Sequence, residues 1–254
     1  GKYEIVKKTY VAAIGDVKYE SVQEALKVAA AAADSTMTVM LLADVSENAS
    51  FAMANRNVIL DLDGHVLTGN INVTAPEGSK LQFTVKNPAD KKDTGKLVGD
   101  ITVTNGKLEV SRNSRYDTTV EGSIILNNVA EAAINGTVKQ SAADKAAITV
   151  NGTGVDGGKI ANTAVIDAAG IAIDAQSGTV KILSNSSVSK AQVNGSVQNN
   201  GAAMKITGGV FSADPSALLV GTDYKAEQNS DGKYEIVKKT YVVAIGETKY
   251  ESVQ

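Results

Sequence analysis

The chain has 254 residues, 43% hydrophobic and 21% charged, a balance that belongs to folded proteins rather than disordered ones. A net charge of −3 and a pI near 5.3 supply no electrostatic footprint for nucleic acid or an anionic membrane surface, and no apolar run is long enough to cross a bilayer. The lack of cysteine excludes thiol catalysis, zinc–thiolate sites and iron–sulfur clusters.

The passage that opens the chain, Gly1–Gln23, returns as Gly232–Gln254 at an offset of 231, with 20 identities in 23 positions. The differences are Ala12 against Val243, Asp16 against Glu247 and Val17 against Thr248. That period exceeds the roughly 20–50 residues of an ordinary solenoid repeat, so the repeating object is a whole domain. The phase of the match predicts that 1–9 is the tail of a preceding repeat, 10–240 one complete module and 241–254 the start of the next. Lys2–Val6 then corresponds to a hairpin strand, Lys233–Val237, that has lost its natural partner. It is expected to pair elsewhere, fold alone or dock on a neighbouring molecule.

Within the module, Tyr10–Ile14 reads as a strand and Gly15-Asp16 as a turn. Ser21-Val22-Gln23-Glu24 is a capping-box signature, in which the Ser21 hydroxyl accepts a backbone N–H and Glu24 reaches back. Val22, Ala25, Leu26, Ala29 and Ala33 share one face of the cap helix predicted over about 21–33.

From about 36 to 211 the texture changes to apolar pieces of three to five residues, each ended by Gly or Asn. Val58-Ile59-Leu60-Asp61-Leu62, Ile101-Thr102-Val103 and Ala147-Ile148-Thr149-Val150 are examples. Asn-Gly pairs at 105, 135, 151 and 194 accept left-handed backbone angles cheaply and mark corners. Small β-branched side chains, a coil-sized step from Ile148–Val150 to Ile171–Ile173 and abundant corner asparagines favour a right-handed parallel β-helix over a hairpin-built sandwich. Asp214-Pro215 then opens a helical turn, and Asn229-Ser230-Asp231-Gly232 joins the strands of a hairpin over about 222–238. The predicted fold is thus all-β: a parallel β-helix with an N-terminal capping α-helix and a C-terminal β-hairpin.

Three passages carry a resemblance: Val11–Ala25, with Val39-Met40-Leu41-Leu42-Ala43-Asp44-Val45; Val58–Thr68, containing Asp63-Gly64-His65; and Ile206–Ser212, followed by Tyr224-Lys225-Ala226 and Asp231–Tyr234. Together they resemble a module of large surface proteins of gut Firmicutes. The likeness covers the two ends and reaches the middle only in texture. It implies a pectate-lyase-like β-helix used as a repeated adhesin-type module, and it does not imply pectate lyase activity.

Candidate chemistry is sparse. His65 is the single histidine, and no nucleophile or ligand set accompanies it, so a structural role at the Asp-Gly-His corner is favoured. Asp61 and Asp63 with Gly64 faintly resemble a calcium loop but lack further oxygen ligands, and read as solvated outward carboxylates. Asp144 with Asp167, and Asp100 with Glu121, lie about one coil apart and could stack as paired acids. Pro88–Lys96 reads as a solvated protrusion.

The most informative window is Ser111–Asp117. Its Arg112, Asn113, Arg115 and Tyr116 are candidate partner-binding residues, because Arg and Tyr combine large area with directed hydrogen bonds. The competing account, a polar loop satisfied by its own salt bridges, is favoured over the binding one. These readings converge on a non-catalytic extracellular module of a bacterial surface protein, with no cofactor and no metal. The expected partners are neighbouring repeats and a host protein or glycan at a mucosal surface, such as an immunoglobulin or mucin. The alternatives are a polysaccharide-active β-helix enzyme and a spacer with no ligand.

Overall fold

A computed structural model describes residues 8–33, 36–87, 95–112, 117–160, 163–183, 190–245 and 248–250, with backbone alone at 154–156, 244, 245, 249 and 250. The chain coils into a parallel β-solenoid. Each turn contributes to three faces, and each face stacks in parallel register.

Register places like side chains above one another. Inside the first face run Val39, Leu60, Val85, Val110, Ile134, Ile160, Ile182 and Ile206, all buried. The second face stacks Val45, Leu67, Leu97, Val120, Val138, Ile166, Val193 and Phe211. The third stacks Ala49, Ile71, Ile101, Ile124, Ile148, Ile173 and Val197. Rungs about 4.8 Å apart bring each aliphatic chain into contact with the ones above and below, so the interior is a set of dry columns. Small and β-branched residues suit them because the coil interior is narrow. The step from Ile148 falls on Ile173, with Ala146 below Ile171.

The Asn-Gly pairs behave in two ways. Asn105 and Gly106 both have positive φ and turn the chain sharply between Ile101–Thr104 and Lys107–Val110. Asn151-Gly152 and Asn194-Gly195 instead lie inside continuous strands, Ala146–Ile160 and Gln192–Asn199, that bend across two faces. Amides do meet from rung to rung, as where Asn151 Nδ2 donates to Asn127 Oδ1 at 3.0 Å.

The commoner device at the corner between the second and third faces joins side chain to backbone. Asn48 Oδ1 accepts from the Asn70 amide, Asn70 Oδ1 from the Asp100 amide, and Asp100 Oδ1 from the Ser123 amide, at 2.7, 2.8 and 2.8 Å. Beside this ladder Gly69, Gly99 and Gly122 stack so closely that a Cβ on any of them would lie within 2.4 Å of the carbonyl oxygen one rung below. Only glycine fits that column.

The near end of the coil is closed by two elements. The hairpin of β1 (Ala12–Ile14) and β2 (Val17–Tyr19) turns at Gly15-Asp16, and β1 also pairs antiparallel with Met37–Leu41. Helix α1 (Val22–Ala31) covers the open core with Val22, Ala25, Leu26, Ala29 and Ala30. Ala33, expected on that face, lies beyond the helix and is exposed. Ser21 accepts the Glu24 amide at 3.1 Å as the capping box requires, but other first-turn donors go to Glu47 of the first coil. Its carboxylate takes the Ser21 hydroxyl at 2.6 Å and the Val22 amide at 2.8 Å, complementing the helix N-terminus. At the other end of the helix Arg56 Nε donates to the Ala32 carbonyl at 2.7 Å. The Gln23 side-chain amide bonds both the N–H and the carbonyl of Ser50, occupying backbone groups that an edge strand would leave open.

The far end is closed by a 3₁₀ turn, Ser216–Leu219, and by the hairpin Tyr224–Gln228 with Tyr234–Lys238, whose second strand pairs antiparallel with Val210–Phe211. Leu219 and Ile236 plug the last rung. Beyond it, Val243–Ile245 pairs with Thr248–Tyr250 as Val243 with Tyr250, Ala244 with Lys249 and Ile245 with Thr248. That is the register of β1 with β2, reproduced 231 residues on. Lys2–Val6 lies outside the described residues.

Candidate functional site

The loop singled out by its arginines is anchored by the first of them. Arg112 and Asp117 form an antiparallel backbone bridge, and Arg112 Nε lies 2.7 Å from Asp117 Oδ1. A terminal guanidinium nitrogen of Arg112 donates to the Thr163 carbonyl at 2.7 Å, while Thr137 Oγ1 donates to the other Asp117 oxygen at 3.3 Å. These bonds tie the loop base to two further coils. Two of the Arg112 donor nitrogens, Nε and one terminal nitrogen, are thus used within the solenoid itself. Asn113, Arg115 and Tyr116 lie outside the described residues.

His65 sits where the sequence put it, at a corner with Asp63 and Gly64 both at positive φ. Its Nδ1 is 3.3 Å from Asp44 Oδ1, which also accepts the Val66 amide at 2.9 Å. The Val66 N–H, followed by the imidazole, holds the Asp44 carboxyl below the ordinary aspartate range. One carboxylate oxygen from the coil below therefore fixes the corner.

Two readings of the acids need correction. Asp61 is not a solvated outward carboxylate: it is 7% exposed, directly in register with Lys86 on the next coil, with Lys86 Nζ 2.9 Å from its Oδ2. Nor do the proposed acid pairs stack. Asp167 registers with Lys139 below and Asn194 above, while Asp144 precedes the strand that begins at Ala146. Glu121 registers with Val98 and Lys139, and Lys96 Nζ lies 2.9 Å from its carboxylate. Asp100 is engaged in the corner ladder described above. Two carboxylates working together on a glycosidic bond need facing positions, and neither of these pairs has them.

Lys107 with Glu131 extends the same pattern, at 2.7 Å across adjacent rungs. The outer wall is laced by cross-rung ion pairs. A shallow hollow of about 460 Å³ on the second face is lined by Asp44, Val66, Lys96, Glu121 and Lys139, with no aromatic residue in its wall. Phe51, Phe83 and Phe211 all point inward and are buried, the first two meeting edge to face at 5.4 Å. Sugar rings stack on exposed aromatic faces, and among the described residues of the coil none is presented. Among the described residues, too, no three His, Asp or Glu side chains gather closely enough to share a metal ion.

The fold and wall define a capped parallel β-solenoid whose polar groups are turned to holding coil on coil. No protein-family model, curated protein or solved structure matches the chain. The roles that sequence reasoning missed are structural ones: those of Glu47, Gln23 and Arg56 at the cap, and of the Gly69–Gly99–Gly122 column with its Asn48–Asn70–Asp100 ladder. A signal was present for the column, since Gly69-Asn70-Ile71, Gly99-Asp100-Ile101 and Gly122-Ser123-Ile124 repeat one short pattern.

Proposed function

We propose that the chain contains one module of a tandem array in an extracellular bacterial surface protein, adhesin-type and non-catalytic. The solenoid in this reading extends the array, and its loops present a weak binding face many times over. Repetition of a weak site raises avidity by about 10²–10⁴ when several engage together. The observation that carries the proposal is the second copy of the module's opening, which folds into the same hairpin register as the first, 231 residues away. Cross-rung pairing of the wall charges and the inward-facing phenylalanines favour this reading over a polysaccharide-active enzyme.

The partner class is a host protein or glycan at a mucosal surface, with immunoglobulin and mucin as the first ligands to test. Titration of the 254-residue chain against each in solution is expected to give saturable, weak binding that Tyr116→Ala with Arg115→Ala reduces. No binding at high micromolar concentration leaves the spacer role, which the internal pairing of Arg112 favours. Appearance of new reducing ends or unsaturated products from pectin and related polymers would instead establish the enzyme.

A further inference from the structure

We infer that successive modules are locked end to end by a joint in which Lys239, at the end of one module, and Tyr241, at the start of the next, strap the connection onto the Thr222-Asp223 turn of the earlier module. The inference rests on the array reading, because the partner on the far side of the joint is the next repeat. The repeat allows the joint to be seen from both sides within one molecule.

Positions 8 and 239 are the same position of the repeat, as are 10 and 241. At position 8 the lysine, just before the module, faces forward into it, with Nζ 2.7 Å from Glu20. That carboxylate raises the Lys8 ammonium above the ordinary lysine range. At position 239 the same lysine faces back. Its amide donates to the Asp223 carbonyl at 2.8 Å and its Nζ to the Thr222 carbonyl at 3.0 Å. Two residues on, the Tyr241 hydroxyl donates to the Asp223 carboxylate at 3.2 Å. An ammonium has three donors, so the forward and backward bonds are compatible in one side chain. Inside an array the lysine bridges the module behind it and the Glu20 position of the module ahead.

Length strengthens the case. Only Lys239–Val242 separates the strand ending at Lys238 from the one beginning at Val243. Four residues span at most about 14 Å when fully extended, and two of these four, Lys239 and Tyr241, are fastened to the Thr222-Asp223 turn. Val242 is 59% exposed, whereas Val11, its repeat equivalent, is half-buried against the coil that follows it. A following coil in the same place would cover it. The consequence is a stiff rod instead of beads on a flexible string.

The lack of cysteine makes a direct test simple. Glu77→Cys and Thr248→Cys, both exposed positions, place one spin label on the coil and one on the second hairpin of the 254-residue chain. Pulsed electron paramagnetic resonance is expected to give one narrow distance distribution. Lys239→Ala combined with Tyr241→Phe is expected to widen it at least twofold. Lys8→Ala changes the same repeat position at the other end of the module, and is expected to leave the distribution as it was. A broad distribution in the otherwise unchanged chain, or no response to the double substitution, overturns the joint. Failure of the array reading appears elsewhere. A chain of two full repeats would then show only one module's worth of exchange-protected amides, whatever the spin-label distances in the single-module chain.

Discussion

Gly99→Ala tests the corner column at its tightest point. A methyl group there would stand 2.3 Å from the Gly69 carbonyl oxygen and 2.6 Å from its carbon, both backbone atoms that no rotamer can move aside. The rungs cannot part to admit it, because Leu67 with Leu97 and Ile71 with Ile101 fix the spacing on either side. Overpacking costs about 1–3 kcal/mol, and holding alanine at a φ of +147° adds about 1–3 kcal/mol of backbone strain. The sum, about 2–6 kcal/mol, is a large fraction of the roughly 5–15 kcal/mol that holds an ordinary domain folded. Gly78→Ala is the matched control. Its φ is +70° and its Cβ would meet nothing within 4 Å, so it carries strain alone, about 1–2 kcal/mol. Urea unfolding followed by circular dichroism should therefore separate the two midpoints clearly. Amide exchange in Gly99→Ala should rise first at Gly99 and Asp100, whose N–H groups bond Glu121 and Asn70. Equal midpoints for the two variants would refute the claim that close rung contact, and not glycine's conformation alone, selects glycine in this column.

Three further outcomes follow from the geometry. Glu47→Ala removes the acceptor that serves Ser21 and Val22 and should cost about 1–2 kcal/mol, with exchange rising first in α1; Glu47→Gln should recover part of it. Asp44 has a depressed folded-state pKa, so its contribution is present above the ordinary aspartate value and is lost as pH falls through the lower folded value. A carboxyl titration by nuclear magnetic resonance should place the Asp44 midpoint below the ordinary range, and the stability gap between the native chain and Asp44→Ala should close at the acid end; a midpoint at or above that range contradicts the corner geometry. Arg112→Ala breaks a partly exposed ion pair and a carbonyl contact, and should lower stability by no more than about 1 kcal/mol, read from the urea midpoint.

The coil was legible wherever one strand's own residues decide its face. Val58-Ile59-Leu60 and Ile101-Thr102-Val103 declare short strands, and Ser21 declares the helix start. What escaped depends on partners a full turn away. Asp61 looks solvated until Lys86 is brought above it, and Glu47 looks like a loop acid until the cap helix descends on it. Coil phase was hidden because successive steps along the corner ladder are 22, 30 and 23 residues, with the 88–94 segment inside the longest. The Gly-Asx pattern keeps the phase across that longer step, since the corner geometry at Asn70 and Asp100 is the same as at the other steps. Strand ends were misjudged where Asn-Gly pairs bend a strand without breaking its ladder, as at Asn151-Gly152. For the candidate loop, residue type singled out Arg112, but the use of its side chain follows from Asp117 and Thr163 lying across the loop base.

The central claim is that this solenoid is a unit built to be joined to copies of itself in a stiff line. Small-angle X-ray scattering of chains carrying one, two and three full repeats tests it most directly. Each added repeat should lengthen the particle by the same amount while its cross-section stays constant. Increments that shrink with repeat number, or a cross-section that grows, would contradict the account.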